Sequence, residues 1–258
     1  MLVWMLPSEI VEEGFARSRV VMMNEGHNGY RRCVRTRNIG CSVLAAAHDA
    51  GCRHLAMEAL MNSGPGPSFV TSRPEPHGLF AQSDMTAIAE TALALGWTLV
   101  AYEVTREQTP TVHRDNGLTL EATNHREFAQ ACNLAEAIDN IDAGAPLMVW
   151  CGNGHHSKQA LQEWVPMGVR FAELSSIDPF SIDQLATVSL GERHRPRVEM
   201  TAELQERLEP LGGTAGFMAE HPADCFDVPS WYDAVLFSTD NRMVGDVSGT
   251  DHDDHTPP

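Results

Sequence analysis

From Arg19 onward the chain repeats one unit: a short β-rich apolar run, a polar turn, then a longer segment with helical spacing. The runs are residues 20–23, 54–57, 98–102, 147–150 and 169–174, with a sixth at 234–237. Between them, 31–50, 84–95 and 124–142 carry helical periodicity, and Gly51, Gly96 and Gly144 follow, where a left-handed stop ends a helix. Strands joined by helices of this length need right-handed crossovers, which predicts an α/β fold with a mainly parallel central sheet and helices on both faces. Segments 61–82 and 105–123 are long and rich in Pro, Gly, Ser and Thr, and are expected to be loops over the C-terminal edge of the sheet. Residues 191–223 read as a helical excursion centred on 201–208. The expected organisation is one domain over 1–245 and a disordered acidic tail over 246–258.

A chain of 258 residues that is 43% hydrophobic can bury a sizeable core. Its charge of -17 and pI near 5.0 argue against gripping nucleic acid or an anionic membrane, both of which need clustered Lys and Arg. Asp246, Asp251, Asp253 and Asp254 contribute to that charge from the tail, where His252 and His255 alternate with them as a solvated segment. The six cysteines form no CxxC pair and mostly lie in apolar segments, which suits a reducing compartment. The opening MLVWMLPSEIVEEGF lacks a basic start and meets Glu9, Glu12 and Glu13 early, unlike a secretory signal, and no apolar run approaches the roughly 18 residues of a membrane span. The expected location is cytoplasmic and the expected partner a small-molecule or peptide substrate. No feature speaks to oligomeric state.

In open parallel sheets, ligands bind beyond the carboxyl ends of the strands. Four runs end there in ionisable groups: Glu25 and His27, Glu58, Tyr102 and Glu103, then Gly152-Asn153-Gly154-His155-His156. Any one of these read alone is a strand-end residue facing water. Three carboxylates and two imidazoles at one level are better explained by a shared polar cleft, because a stranded buried charge costs several kcal/mol. Gly26, Gly29, Gly152 and Gly154 would let the backbone pass close to a ligand, although ordinary turn use fits Gly29 as well.

The ordered segments NEGH, AMEAL, GWTLVAYE, REFAQACNLAEAI, VWCGNGHHSK and SSIDPFSIDQ, over residues 19–184, resemble the erythromycin esterase-like and ChaN-like superfamily, which includes the Tiki and TraB proteins. The resemblance implies an α/β fold whose pocket joins two histidine motifs and paired glutamates. By position, Glu25 and His27 match its Glu-x-His motif, Glu58 its second strand end, and His155 its Gly-x-x-His motif. Glu103 fits the acidic end of AYE, and Arg126, Glu127 and Asn133 match RExxxAxN. Arg31 or Arg32 stands for the basic residue after the first motif, at shorter spacing than the family pattern.

Three kinds of chemistry suit these residues. The first is hydrolysis of an ester or amide, with His27 as general base, Glu58 or Glu25 orienting it, and His155 with Arg31 or Arg32 stabilising the oxyanion. Tyr102, Arg126, Asn133 and His156 would then touch substrate, and a macrolide, a modified peptide or a small biosynthetic ester are all compatible. The second makes Glu25, His27, Glu58 and His155 ligands of Zn, Mn or Co, although HExxH is absent. The third is haem binding through Tyr30, His155 or His156, without an attachment motif. Cys151 beside His155 reads as a buried thiol, and no GxSxG elbow surrounds Ser63 or Ser68. Trp97, Trp150 and Trp164 are expected in the packing, and Phe69 and Phe80 along a substrate cavity.

Overall fold

The computed structural model describes residues 3–28, 31–105, 119–190, 195–219, 226 and 231–245. In chain order its elements are α1 (Pro7–Arg17), β1 (Val20–Asn24), β2 (His27–Asn28), β3 (Arg31–Cys33), α2 (Val34–Asp49), β4 (His54–Met57), β5 (Ser68–Val70), α3 (Ser83–Ala94), β6 (Thr98–Ala101), α4 (Leu120–Asn140), β7 (Leu147–Cys151), α5 (Met167–Ser175), β8 (Phe180–Asp183), α6 (Ala202–Leu208), β9 (Thr214–Met218), β10 (Ala234–Ser238) and β11 (Met243–Val244). The central sheet has eight strands in the order β5-β6-β4-β7-β1-β8-β10-β9. The six strands from β6 to β10 are mutually parallel, and β5 and β9 close the edges antiparallel. The result is the α/β fold with a mainly parallel sheet that the alternation predicts.

Period-two burial divides the strands between two helical layers. Val21, Met23, Leu55, Met57, Leu99, Met148 and Trp150 pack on α1, α2 and α3, while Val20, Met22, Ala56, Val100, Val149 and Cys151 pack on α4 and α5. Each fully buried Leu, Met or Val contributes at most about 1.5–3 kcal/mol by removal from water. Helix α2 comes close enough to the sheet that a Cβ on Gly40 would stand 2.6 Å from the Trp150 ring, so glycine is required there. Gly51 and Gly96 have φ of +93° and +78°, the left-handed stops expected after α2 and α3, whereas α4 ends at Asn140 on an extended Ile141 and Gly144, with φ of +82°, turns the chain three residues later.

Four local expectations change. Residues 169–174 belong to helix α5, and the strand follows at β8. The buried set Met167, Gly168 and Phe171 has helical spacing, and a run this short fits either period. Residues 31–33 leave the expected first helix to form β3 between β2 and β11 in a separate three-stranded sheet. The 191–223 segment contains the expected helix, α6, capped by the Thr201 hydroxyl, but also strand β9. Segment 61–82 contains β5 as well as loop. Residues 106–118, Tyr30 and the tail lie outside the described residues. Among the described residues, no helix is long and apolar enough to cross a membrane.

Candidate active site

Because β1, β4, β6 and β7 run parallel, their carboxyl ends share one edge, and Glu25, His27, Glu58, Glu103 and His155 all follow them there. His27 Nδ1 lies 3.0 Å from Glu25 Oε1. Glu25 also accepts from Arg37 Nη2 at 3.1 Å and from Arg37 Nε, and Arg37 is fully buried. Arg37 continues to Gln82 Oε1 at 2.5 Å and Asp84 Oδ1 at 3.1 Å, and Asp84 accepts from Arg32 Nε at 2.7 Å. Burial pushes the Glu25 carboxyl upward, but the His27 bond and the Arg37 charge outweigh it, so it sits below its usual range. An ionised Glu25 accepts the Nδ1 proton of His27. The unshared pair of His27 then lies on Nε2, on a ring whose side chain is 25% exposed.

Glu58 stands beside this ring. A Cβ on Gly152 would lie 2.6 Å from His27 Cε1 and 3.2 Å from Glu58 Oε2, so glycine is what permits the approach. The Gly152 N–H donates to Glu58 Oε2 at 2.6 Å, and Arg126 Nη2 donates to Glu58 Oε1. Arg126 also grips Glu103 through Nε at 3.1 Å and through Nη2, while Gln130 Nε2 holds Glu103 from 3.0 Å. Arg126, Gln130 and Asn133 fall at i, i+4 and i+7, one face of α4. Burial raises the Glu58 carboxyl, yet the charges of His155, Arg126 and His27 and the Gly152 N–H together drive it far below the ordinary range.

His155 completes the cluster. Its Nε2 lies 3.6 Å from Glu58 Oε1, and its Nδ1 is 2.7 Å from Glu127 Oε1. Glu127 is fully buried and also accepts from Trp164 Nε1 at 3.1 Å and the Met167 backbone N–H at 2.6 Å. The start of α5 is pinned close by, because a Cβ on Gly168 would meet the Ser157 carbonyl at 2.8 Å. Burial alone would lower the imidazole, but Glu127 and Glu58 overcome it and push it up to about 9, so His155 is an imidazolium at neutral pH.

Several expected site residues stand elsewhere. Tyr102 is fully buried and donates its hydroxyl to the Trp150 carbonyl at 3.2 Å, and Asn133 donates to the Tyr102 carbonyl at 2.9 Å. Both fix the strand end rather than line the cleft. His156 is fully buried, donates from Nε2 to the Ile182 carbonyl at 3.0 Å, and stacks on Tyr232 with centroids 4.7 Å apart. Burial holds it down to about 3, and its ring is enclosed against Ile182 and Tyr232. Arg31 is exposed and lines a separate cleft of about 580 Å³ with Thr187, Met200 and Met243. Arg32, opposite His27 in the β2–β3 register, is the member of that pair on the site's side. The alternation along β3 separates the two.

Cys151 is buried with its thiol pushed up by desolvation, as expected for an inert cysteine. Trp164, expected in the packing, bonds Glu127 and sits edge-on to His155 at 6.4 Å. Phe80 is core and Phe69 is exposed on β5, so neither forms the expected cavity wall as a pair. Sequence reasoning missed Arg37, Asp84 and Gln130. Each stands in a helix that carries other polar residues, so nothing in the sequence sets it apart from a solvated face.

The donor set does not fit a metal. Among the described residues, no group of three or more His, Cys, Asp or Glu side chains is arranged to hold one. Arg37 occupies Glu25, Arg126 and Gly152 occupy Glu58, and Glu127 occupies His155 Nδ1, so the cations are already supplied by the chain. His156 is likewise unsuited to haem, being enclosed and bonded to a carbonyl.

The fold is erythromycin esterase-like. No family model and no curated protein matches the chain. Among solved structures it is similar to a mutant of the erythromycin esterase EreC in its open conformation, with TM-score 0.56 and 12% identity over 89% of this chain and 92% of that one. It is also similar to the type III effector HopBA1, with TM-score 0.49 and 12% identity over 93% and 98%. A further similarity is to RRSP, a MARTX toxin effector domain from Vibrio vulnificus CMCP6, with TM-score 0.41 and 14% identity over 77% of this chain, which spans only 37% of that structure.

Proposed function

We propose that the chain is a hydrolase that cleaves an ester or an amide of a small molecule or peptide by activating water with His27. The observation that carries this reading is His27 itself: Nδ1 is held 3.0 Å from an ionised Glu25, and Nε2 has no partner among the described residues. In this mechanism Nε2 takes a proton from water as the water oxygen adds to the scissile carbonyl. The oxyanion that forms accepts a hydrogen bond from His155 Nε2, and the proton held by His27 passes to the departing alcohol or amine. Glu25 orients the base. Glu58 is too acidic to be that base and instead separates the two imidazoles while balancing the charge of His155. Arg32, opposite His27 and bonded through Nε to Asp84, adds positive charge on the site's side.

The test is a panel of chromogenic esters, macrolactones and peptides, assayed with and without a chelator. His27→Ala is expected to lower kcat/KM by about 10²–10⁴-fold on any substrate found, the span typical of general acid–base catalysis. Chelation is expected to leave the rate unchanged. Full activity in His27→Ala, or loss of activity on chelation, overturns the reading.

A further inference from the structure

The side chains around the open His27 nitrogen differ in how fully they are used. Glu103 accepts from Arg126, Gln130 and the Val104 N–H at 2.7 Å, and Glu58 accepts from Arg126 and Gly152. The carboxylates are therefore well supplied with donors. Arg126 is different. Its Nε and Nη2 are committed to Glu103 and Glu58, which fixes the guanidinium plane, but Nη1 makes no hydrogen bond among the described residues and the side chain is 25% exposed. His155 Nε2 lies 3.6 Å from the same Glu58 oxygen that Arg126 touches, longer than a hydrogen bond, so its N–H can also serve a ligand.

We infer that Arg126 is a specificity-determining residue, whose Nη1 anchors an anionic oxygen group, a carboxylate or a phosphate, carried by the substrate next to its scissile bond. The anchor is preorganised: two carboxylates already hold the guanidinium, so little side-chain freedom is lost when a third anion binds. The bond is charge-assisted and directional, which suits recognition rather than chemistry. The bound group would lie on the Arg126 and His155 side of Glu58, with the His27 ring on the other side, across a single carboxylate. The inference deepens the hydrolytic reading, and its test measures binding without turnover, so the two can fail separately.

The experiment titrates the full chain with acetate, inorganic phosphate and neutral acetamide while following the His155 Cε1–H and Arg126 guanidinium NMR signals. The expected result is saturable shifts with at least one anion and none with acetamide, and the tighter of the two anions identifies the group. Arg126→Gln should weaken that binding about tenfold or more, and Arg126→Lys should restore part of it. Should Arg126→Gln not fold, the Arg126 signals of the unsubstituted protein decide by themselves. Equal responses to acetamide and to both anions, Arg126 signals unmoved at saturating concentrations of both anions, or undiminished anion binding in a folded Arg126→Gln protein would each overturn the inference.

Discussion

Two polar clusters flank the end of β1, and they solve opposite problems. On the β4 and β7 side, Glu25 is buried but His27, Glu58, Arg126 and His155 keep partial exposure, and His27 Nε2 and Arg126 Nη1 are uncommitted among the described residues. On the β8 and β10 side, Asn24 donates to Asp183 Oδ1 at 2.9 Å, Gln184 N donates to Asn24 Oδ1 at 2.7 Å, and Arg197 pairs with Asp183 while lying 5.4 Å over the Tyr232 ring. Asp183 is fully buried, and the cluster joins strands rather than facing a cleft. The adjacent residues His155 and His156 belong one to each. Carboxylates push the first up to about 9, whereas desolvation holds the second down to about 3. A charge left with open valences marks a site, and a charge fully consumed marks a joint.

The largest effect expected from this contrast separates activity from stability. His27→Ala should remove turnover by the margin given above while leaving the melting temperature within about 2 °C, because the ring is partly exposed and few groups depend on it. Arg197→Ala should do the reverse. It strips the cation from a fully buried Asp183, which costs about 3 kcal/mol of stability in urea unfolding, while kcat per folded molecule stays within about threefold. If both variants lose stability alike, the distinction between site and joint fails.

Next in size is Gly152→Ala. The added methyl would meet His27 Cε1 at 2.6 Å, so the base must move, and a loss of roughly 10–100-fold in kcat/KM is expected with little change in the urea midpoint.

The two histidines should also titrate stability on opposite flanks. His155 is raised in the folded state, so its contribution is fully present below the unfolded value near 6.5 and is lost as pH climbs through about 9. His156 is depressed: the unfolded chain takes up its proton first, so stability falls as pH drops from about 6.5 toward about 3. Unfolding midpoints across pH should show the alkaline loss diminished in His155→Gln and the acid loss diminished in His156→Gln. The smallest effect is Arg31→Ala, expected to change stability by less than about 0.5 kcal/mol and turnover not at all, since the residue faces the other cleft.

The parallel strands were legible because each is an apolar run of strand length bounded by turn residues, and 54–57 matches β4 residue for residue. The polar residues gathered at this edge were legible because strand ends are short and their polar residues conspicuous, as with Glu58 after His54–Met57. Arg37 was hidden inside α2, where an arginine reads as a solvated face until coordinates show it fully buried on Glu25. His156 was misassigned because nothing in a His-His pair tells which ring faces the cleft; that is decided by Ile182 and Tyr232, distant in the chain. Strand β9 was missed because its antiparallel pairing with β10 lies outside the βα rhythm that organises the rest.

The most direct test of the account is the protonation of the two site imidazoles at neutral pH, read from long-range ¹H–¹⁵N correlation of the histidine rings. The account predicts His155 with protons on both nitrogens and, in the neutral form of His27, the proton on Nδ1 with Nε2 bare. A bare nitrogen on His155, or a His27 protonated on Nε2 alone, would contradict it.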